Sequence, residues 1–248
     1  MADIDAMLDA LNEQQREAVL ENNRPLLVLA GAGSGKTRVI TTKIAYAVEK
    51  LGIPASKILA VTFTNKAASE MQQRVKEMLD GNAQADECTI RTFHSFGAWL
   101  LRRFGSEIGL ASNFTIYDDD DQKSVLKNTL KTLDIDDKAF TIRELKVKIS
   151  DAKNRLLTPD EWFMESAKDF RSQQIHDIFT EYEKRLRASN ALDFDDLLVR
   201  TLELFADHPP VLKSYQQRFS HVLVDEYQDT NYAQYQLVKL LTQESRNL

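Results

Sequence analysis

The sequence predicts an α/β protein in which a parallel sheet, with helices on both faces, carries an inserted all-helical subdomain. Three observations lead to this prediction. Short apolar strands alternate with amphipathic helices over 1–105, helices alone follow over 106–192, and an apolar strand returns at 221–226. Near-continuous apolar strands that alternate with helices are typical of parallel sheets covered on both faces.

The individual elements follow from the spacing of apolar residues along the chain. Apolar runs of four to six residues predict strands, and the amphipathic stretches after them predict helices. The predicted order is strand 26–31, helix 37–51, strand 58–63, helix 65–79, strand 88–93 and helix 94–104. The side chains expected to be buried in the first strand are Leu26, Leu27, Val28 and Leu29.

Local signals within 106–192 predict helices and do not predict a metal site. Thr158, followed by Pro159 and Glu161, forms a capping box with proline at the first helical position, so a helix should begin there. The four acids at 118–121 lack the alternating spacing of a calcium loop and instead predict a helix N-cap. The basic stretch 143–155 fits either a solvated helix face or a DNA contact.

Length and composition limit the domain count and the cellular location. The chain has 248 residues, of which 43% are hydrophobic and 28% are charged, so it can bury one sizeable core and a smaller second one. We expect three parts, 1–105, 106–192 and 193–248, with the middle part inserted into the sheet domain. The N-terminal stretch lacks a secretion signal, and no apolar run approaches the ~20 residues that span a bilayer. These features predict a cytoplasmic protein without membrane contact.

Charge and cysteine content add two further expectations. The net charge of −6 is not typical of a protein that coats nucleic acid, although screening allows a short basic track on an acidic protein. The single cysteine, Cys88, cannot form an internal disulfide and is expected to be a small buried group.

A glycine-rich turn follows the first predicted strand and ends in Lys36 and Thr37. Glycines at 31, 33 and 35 allow backbone N–H groups to converge on anionic oxygens, and Lys36 adds a positive charge. The hydroxyl of Thr37 suits Mg²⁺, and the helix that begins here points its positive end at the same place. This pattern predicts a P-loop that binds nucleotide phosphates, although its first position is alanine instead of glycine.

Two adjacent carboxylates, Asp225 and Glu226, follow the apolar strand near the end of the chain. Ligands of open α/β sheets collect at the carboxyl ends of the strands. Asp225 is suited to hold Mg²⁺, and Glu226 is suited to orient the attacking water and accept its proton. We therefore expect Lys36 and the two carboxylates to share one cavity.

Six strings of the sequence, in this order, resemble the motifs of superfamily 1 DNA helicases of the UvrD/Rep/PcrA type. They are LNEQQREAV at 11–19, LAGAGSGKTRVI at 29–40, AVTFTNKAASEM at 60–71, TFHSF at 92–96, LDFDDLL at 192–198 and VDEYQDTN at 224–231. The resemblance covers the whole chain and implies a RecA-like P-loop NTPase fold. It further implies the N-terminal motor region, subdomains 1A and 1B, ending before the second motor lobe.

The resemblance also implies a role for each residue of the nucleotide site. ATP is expected to be bound by Gln15, Ala32, Gly33, Ser34, Gly35, Lys36, Thr37 and Arg38. Within this set, Gln15 would read the adenine edge and Arg38 would stack on the base. Lys36 and Glu226 would be catalytic, while Thr37 and Asp225 would hold Mg²⁺.

For single-stranded DNA, the resemblance implies contacts at two strand–helix junctions and at one further aromatic residue. The implied contact residues are Thr62, Phe63, Thr64, Asn65, Thr92, Phe93, His94 and Phe194. Hydroxyl and amide groups at a helix start suit phosphate oxygens, and aromatic rings suit bases. Considered alone, the three phenylalanines are also typical core residues.

The resemblance implies an ATP-dependent 3′–5′ DNA helicase that acts on single strands and on junctions with duplex DNA, with repair or replication proteins as further partners. The 248-residue chain alone is expected not to unwind DNA, because the family's arginine fingers belong to the second lobe. Two alternatives stay open. The chain could be the motor part of a helicase-nuclease, and a nuclease domain downstream would establish this. It could instead be a switch that binds nucleotide or DNA without turnover. A small-molecule kinase would need an arginine-bearing lid, which the sequence does not supply.

Overall fold

The computed structural model describes residues 4–31, 33–79, 83–136 and 138–248. The chain divides into two compact units. The first consists of Met1–Ser95, Pro210–Thr230 and Val238–Leu248, and the second consists of Phe96–Pro209 and Asn231–Leu237. The three-part division expected from the sequence, with boundaries after 105 and 192, stays a prediction.

All the strand pairs in the described residues are parallel. The strands are β1 Ile58–Thr62, β2 Thr89–Thr92, β3 Thr115–Ile116, β4 Ala191–Leu192 and β5 His221–Val224. The first unit contains a three-stranded sheet in the order β2-β1-β5, and the second contains the short pair β3-β4. In the larger sheet, Ala60 lies opposite both Ile90 and Leu223. Because its strands are parallel, the residues that follow them, including Phe63, Phe93 and Asp225, leave the sheet at the same edge.

Helices make up most of the remaining structure. They are α1 Ile4–Asp9, α2 Glu13–Leu20, α3 Lys36–Glu49, α4 Asn65–Met78, α5 Phe93–Phe104, α6 Asp119–Thr132, α7 Ile142–Asn154, α8 Pro159–Glu165, α9 Phe170–Ala188, α10 Asp196–Asp207, α11 Pro209–Arg218 and α12 Tyr232–Thr242. The predicted helices at 37–51, 65–79 and 94–104 correspond to α3, α4 and α5. The predicted strands at 58–63, 88–93 and 221–226 correspond to β1, β2 and β5, so the α/β prediction is confirmed.

The apolar core of the first unit joins α3, α4, β1 and β2 through side chains such as Ile44, Met71 and Ile90. Cys88 belongs to this cluster, which confirms that it is a buried, unpaired thiol. Burial raises the pKa of the Cys88 thiol to about 12, so it stays uncharged at neutral pH.

The core of the second unit lies among α6, α7 and α9 and includes Leu130, Leu145 and Ile178. Both predicted helix starts in this region are confirmed. The carboxylate of Asp118 accepts hydrogen bonds from the first backbone N–H groups of α6, and the capping box at Thr158 begins α8 with proline at its first turn. These acids and hydroxyls therefore satisfy backbone groups at helix ends.

The predicted strand at 26–31 is wrong. The segment has no strand conformation, and two of the side chains expected in the core are exposed, Leu27 at 65% and Leu29 at 87%. A strand needs a ladder of backbone hydrogen bonds, whereas the described residues give 26–30 a single one, from Leu26 N to the carbonyl of Leu248 at 2.8 Å. The segment is apolar, as a strand often is, but an apolar composition does not ensure that a neighbouring strand pairs with it.

One glycine of α5 tests how tightly the second unit is packed. A Cβ added at Gly97 would lie 2.5 Å from the carbonyl oxygen of Leu197 and 3.1 Å from Oγ1 of Thr201. Alanine favours a helix by ~1 kcal/mol over glycine, but overpacking against backbone costs ~1–3 kcal/mol. We therefore expect Gly97→Ala to lower the midpoint of urea unfolding. Gly31→Ala is the matched control, because a Cβ at Gly31 meets nothing within 4 Å. A Gly97→Ala chain as stable as the unsubstituted chain would contradict the close packing of Gly97 against Leu197 and Thr201.

Candidate functional site

The glycine-rich loop has the backbone conformation that its glycines permit. Gly33 and Gly35 have φ angles of 75° and 86°, in the left-handed region that side chains rarely adopt. Gly35 is the N-cap of α3, and no side chain caps this helix end. The helix that begins at Lys36 therefore presents backbone N–H groups without a side-chain acceptor, as an anion-binding helix end requires.

Gln15 lies against this loop. Its Nε2 donates a hydrogen bond to the carbonyl of Ser34 at 2.8 Å, and its Oε1 accepts one from the backbone N–H of Asn12 at 3.1 Å. Asn12 and Gln15 also form the capping box that begins α2. The glutamine predicted to read a base is thus held beside the phosphate loop, while the predicted stacking residue Arg38 is exposed on α3. Ala32 lies outside the described residues.

Lys43 was not anticipated as part of this arrangement. It is almost fully buried, and its ammonium donates hydrogen bonds to the carbonyls of Ala18, at 3.0 Å, and Glu21 at the C-terminal end of α2. Burial lowers the pKa of Lys43 to about 8, with the Glu21 carboxylate partly opposing the shift. Lys43 therefore ties the helix that carries Gln15 to the helix that begins at the loop. A lysine on the otherwise apolar face of α3 was the sequence signal for it.

The structure brings Lys36 and Glu226 together, with Nζ of Lys36 3.2 Å from Oε2 of Glu226. Glu226 has a φ angle of 51°, a strained backbone conformation for a residue with a side chain. Residues in such conformations cluster at functional sites in proteins. Gln228, for which no sequence pattern predicted a role, donates to the same carboxylate at 2.6 Å. The hydrogen bonds from Gln228 and then Lys36 hold the pKa of Glu226 below its usual range, so it is ionised.

Asp225 occupies the last position supported by the sheet. Asp225 is one residue beyond β5, its backbone N–H donates to the carbonyl of Val61 at 3.0 Å, and the residue as a whole is 7% exposed. Burial raises the pKa of this carboxyl, the adjacent Glu226 charge raises it further, and Lys36 opposes both. A buried carboxylate beside another acid is stabilised by a cation placed between them and the solvent.

The donor atoms at this edge fit Mg²⁺ and not a closed metal cage. Among the residues that the structure describes, no group of three or more His, Cys, Asp or Glu side chains could hold a metal ion. Mg²⁺ is usually held by one or two protein oxygens together with phosphates and waters. The hydroxyl of Thr37 and the carboxylate of Asp225 are oxygen donors of this kind.

The first strand–helix junction of the candidate DNA surface is at β1 and α4. Thr62 is fully buried and its hydroxyl donates to the carbonyl of Thr64 at 3.1 Å. Thr64 is the N-cap of α4, where its Oγ1 accepts from the N–H of Ala67 at 3.1 Å. Thr64 and Asn65 are exposed, so they can reach a ligand, whereas Thr62 supports them from below.

The second junction, at β2 and α5, pairs with the first through two rings. Phe63 and Phe93 meet edge to face with their centroids 5.5 Å apart. Phe93 is only 1% exposed, so its ring supports that of the partly exposed Phe63 and does not itself form the surface. Thr92 is likewise buried and hydrogen-bonds with Ser95, while His94 is partly buried at the start of α5.

Phe194 lies in the second unit, in the turn 193–195 between β4 and α10, and is 50% exposed. Lys153 of α7 holds this turn from the buried side. Its Nζ lies 2.7 Å from a carboxylate oxygen of Asp193, of Asp196 and of Glu183. In the sequence, the exposed Phe194 thus lies between two buried acids, Asp193 and Asp196.

The cluster around Lys153 bears on one residue of the basic stretch 143–155. Lys153 is buried, so this residue is neither on a solvated face nor a DNA contact, whereas Arg143 and Arg155 are exposed. The two interpretations of the stretch as a whole stay predictions. Burial alone would lower the pKa of Lys153, but the three carboxylates raise it well above its usual value. Burial raises the pKa of Asp196 to about 8, while Lys153 holds that of Asp193 low. No local sequence pattern signals this cluster, because its members come from α7, α9, α10 and the turn before α10.

A glycine turn that opens a helix, with its lysine facing a carboxylate at the end of a parallel strand, defines the P-loop NTPase class. Within that class, the chain belongs to the UvrD/REP helicase family, since residues 11–248 match the profile described as the UvrD/REP helicase N-terminal domain. This confirms the family resemblance and the RecA-like fold. None of the helices in the described residues is long and apolar enough to cross a membrane.

Curated relatives agree with the family match. The chain is 46% identical over 245 residues to the ATP-dependent DNA helicase PcrA of Staphylococcus aureus, an alignment that covers 99% of this chain and 33% of that protein. The same values hold for the ATP-dependent DNA helicase PcrA of Staphylococcus epidermidis. The chain therefore spans about a third of the length of these relatives.

Proposed function

We propose that the chain is the ATP- and single-stranded-DNA-binding part of an ATP-dependent DNA helicase, with 3′–5′ polarity inferred from the family. The observation that carries this proposal is the 3.2 Å approach of Lys36 to Glu226, beside a helix end without a side-chain cap. It puts the cation for the phosphates next to the acid for the attacking water. The relatives named as ATP-dependent DNA helicases support the reaction.

In the proposed nucleotide site, the loop 31–35 and the first turn of α3 bind the triphosphate. Lys36 contacts the β and γ phosphates, Thr37 and Asp225 hold Mg²⁺, and Glu226 orients the water. When bound, Mg²⁺ would neutralise charge that develops on the phosphate oxygens. The pair between Lys36 and Glu226 satisfies both charges before nucleotide arrives, because each is the other's nearest opposite charge.

Gln15 and Arg38 complete the proposed site at the base. The Gln15 amide already contacts Ser34, so base recognition by this side chain would use donor and acceptor capacity beyond that bond. Arg38 is exposed on the first turn of α3, where a planar guanidinium can stack on a base.

The proposed DNA surface consists of exposed groups held by buried ones. Thr64 and Asn65 would contact phosphates at the N-terminal end of α4, and Phe63 and Phe194 would stack on bases. Thr62, Thr92 and Phe93 would act beneath them, with His94 beside the second junction. We further propose that 106–192 is the inserted subdomain, which is mostly helical but also contains the short strand pair β3-β4 that the sequence did not predict. We also propose that the protein acts in the cytoplasm and works with repair or replication proteins at junctions of single-stranded and duplex DNA.

Truncation of the Phe194 ring tests the DNA-binding part of this proposal. We expect Phe194→Ala to weaken binding of a fluorescein-labelled oligo-dT strand by about 5- to 150-fold, because base stacking on an aromatic side chain is worth ~1–3 kcal/mol. Fluorescence anisotropy with the 248-residue chain measures the dissociation constant.

Phe170→Ala is the matched control, since Phe170 is 79% exposed at the start of α9 and belongs to no candidate contact. Equal loss of affinity in both variants would indicate nonspecific binding. If the unsubstituted chain bound neither oligo-dT nor Mg²⁺-ATP, that result would contradict the proposed function itself.

A further inference from the structure

Asn154, the last residue of α7, uses every part of its side-chain amide. Its Nδ2 donates to Oδ1 of Asp195 and to Oγ of Ser150, both at 3.2 Å, and its Oδ1 accepts from Nδ2 of Asn231 at 2.5 Å. All of these residues lie within the second unit. The amide of Asn154 therefore donates through its nitrogen and accepts through its oxygen at the same time, which an alanine side chain cannot do.

Asn154 thus bridges Asp195 and Asn231 through its amide. The Asn231 end of this bridge is fixed at the start of α12. The Asn231 Oδ1 accepts from the N–H of Gln234 at 2.9 Å, and the Gln234 side chain accepts from the N–H of Asn231 at 3.0 Å. This reciprocal cap uses the backbone N–H and the side-chain Oδ1 of Asn231, so the Asn231 Nδ2 is left to donate to Asn154.

The chain between Glu226 and Asn231 is short and held by its own hydrogen bonds. The N–H of Asp229 donates to the carbonyl of Glu226 at 2.9 Å, and Thr230 donates through both its N–H, at 3.2 Å, and its hydroxyl, at 2.8 Å, to the carbonyl of Tyr227. A turn braced in this way passes a displacement of one end to the other more readily than an open loop does.

The other end of the bridge is the turn that presents Phe194. Asp195 is the next residue, and its carboxylate accepts the Asn154 hydrogen bond. Lys153, adjacent to Asn154, holds the same turn through Asp193 and Asp196. Two consecutive residues of α7 therefore hold the Phe194 turn, one through buried charge and the other through an amide that also reaches Asn231.

We propose that Asn154 is a positioning residue that links the segment after the Asp225–Glu226 pair to the Phe194 turn, so that nucleotide binding changes the affinity for single-stranded DNA. This inference rests on the proposed function and adds a residue that touches neither ligand. Coupling between two binding sites is reciprocal and typically about 5- to 150-fold. Loss of the amide removes the link and leaves both binding surfaces in place.

The experiment measures the dissociation constant of fluorescein-labelled oligo-dT with and without saturating Mg²⁺-ATPγS, and takes the ratio of the two values as the coupling factor. We expect a coupling factor well away from one in the unsubstituted chain and a factor within about twofold of one in Asn154→Ala. Affinity for Mg²⁺-ATPγS without DNA should be unchanged in Asn154→Ala. The matched control is Asn128→Ala, at an exposed asparagine of α6, which should keep the full coupling factor.

Asp195→Ala cuts the same bridge at its far end and gives the same expected loss of coupling if Asn154→Ala does not fold. An undiminished coupling factor in whichever of the two variants folds would overturn the inference while nucleotide and DNA binding stand. The inference is also overturned if the unsubstituted chain binds both ligands without coupling. If that chain binds neither ligand, the proposed function fails, and the inference with it.

Discussion

Lys36→Ala is expected to weaken binding of Mg²⁺-ATP by about 30- to 150-fold, because a hydrogen bond to a charged group contributes ~2–3 kcal/mol. Lys36 is the basic side chain that the structure places against Glu226, beside the glycine loop. Stability should change little, since both side chains of this pair are partly exposed and such pairs contribute less than about 1 kcal/mol. Titration with a fluorescent ATP analogue measures the affinity, and urea unfolding measures the stability.

Lys66→Ala provides the matched control for that loss. Lys66 lies on α4, its side chain is highly exposed, and its nearest carboxylate partner is Glu70 at 3.9 Å. The Lys66→Ala substitution removes one positive charge from the same unit, at a position away from the glycine loop. Equal affinities of the Lys36→Ala and unsubstituted chains would show that the phosphates bind elsewhere.

Lys153→Met is expected to lower the free energy of unfolding by about 3–5 kcal/mol, because it leaves buried carboxylates without their cation. The methionine fills a similar volume, so the loss would come from charge and not from a cavity. Asp193, Asp196 and Glu183 all depend on this one ammonium. Urea unfolding followed by far-ultraviolet circular dichroism measures the effect.

A matched Lys127→Met chain separates charge burial from a general effect of losing a lysine. Lys127 is exposed on α6 and should give a change within about 0.5 kcal/mol. An unfolding midpoint for Lys153→Met that equals the Lys127→Met midpoint would refute the assignment of Lys153 as the buried cation of the cluster.

Much of the sheet and its edge could be predicted because the signals are local and the topology is constrained. Apolar runs predicted β1, β2 and β5, and parallel strands bring the residues that follow them to one edge, so Asp225 and Glu226 could be placed at that edge. The expected meeting of Lys36 and Glu226 was also correct, although the strand at 26–31 on which it was based is not formed. The 26–31 strand failed because strand formation depends on a partner, and the apolar run does not encode one. Its exposed Leu29 shows that hydrophobicity alone does not bury a residue.

Charged residues were the ones that sequence patterns placed least well. Lys43 and Lys153 are both buried. The partners of Lys43 are carbonyls and those of Lys153 are carboxylates, and both sets are distant in the sequence. Charge patterning alone predicts that such lysines are exposed to solvent. Asn154 is similar, since its partners Asp195 and Asn231 come from two other segments. Local spacing predicts helices and caps, but it does not predict which distant segment completes a polar network.

A crystal structure of the chain with Mg²⁺ and a non-hydrolysable ATP analogue tests the central claim most directly. The account predicts that Nζ of Lys36 moves from Glu226 to a phosphate oxygen, with Mg²⁺ between the hydroxyl of Thr37 and the carboxylate of Asp225. A nucleotide bound away from the 31–35 loop, with the Lys36–Glu226 pair intact, would contradict it.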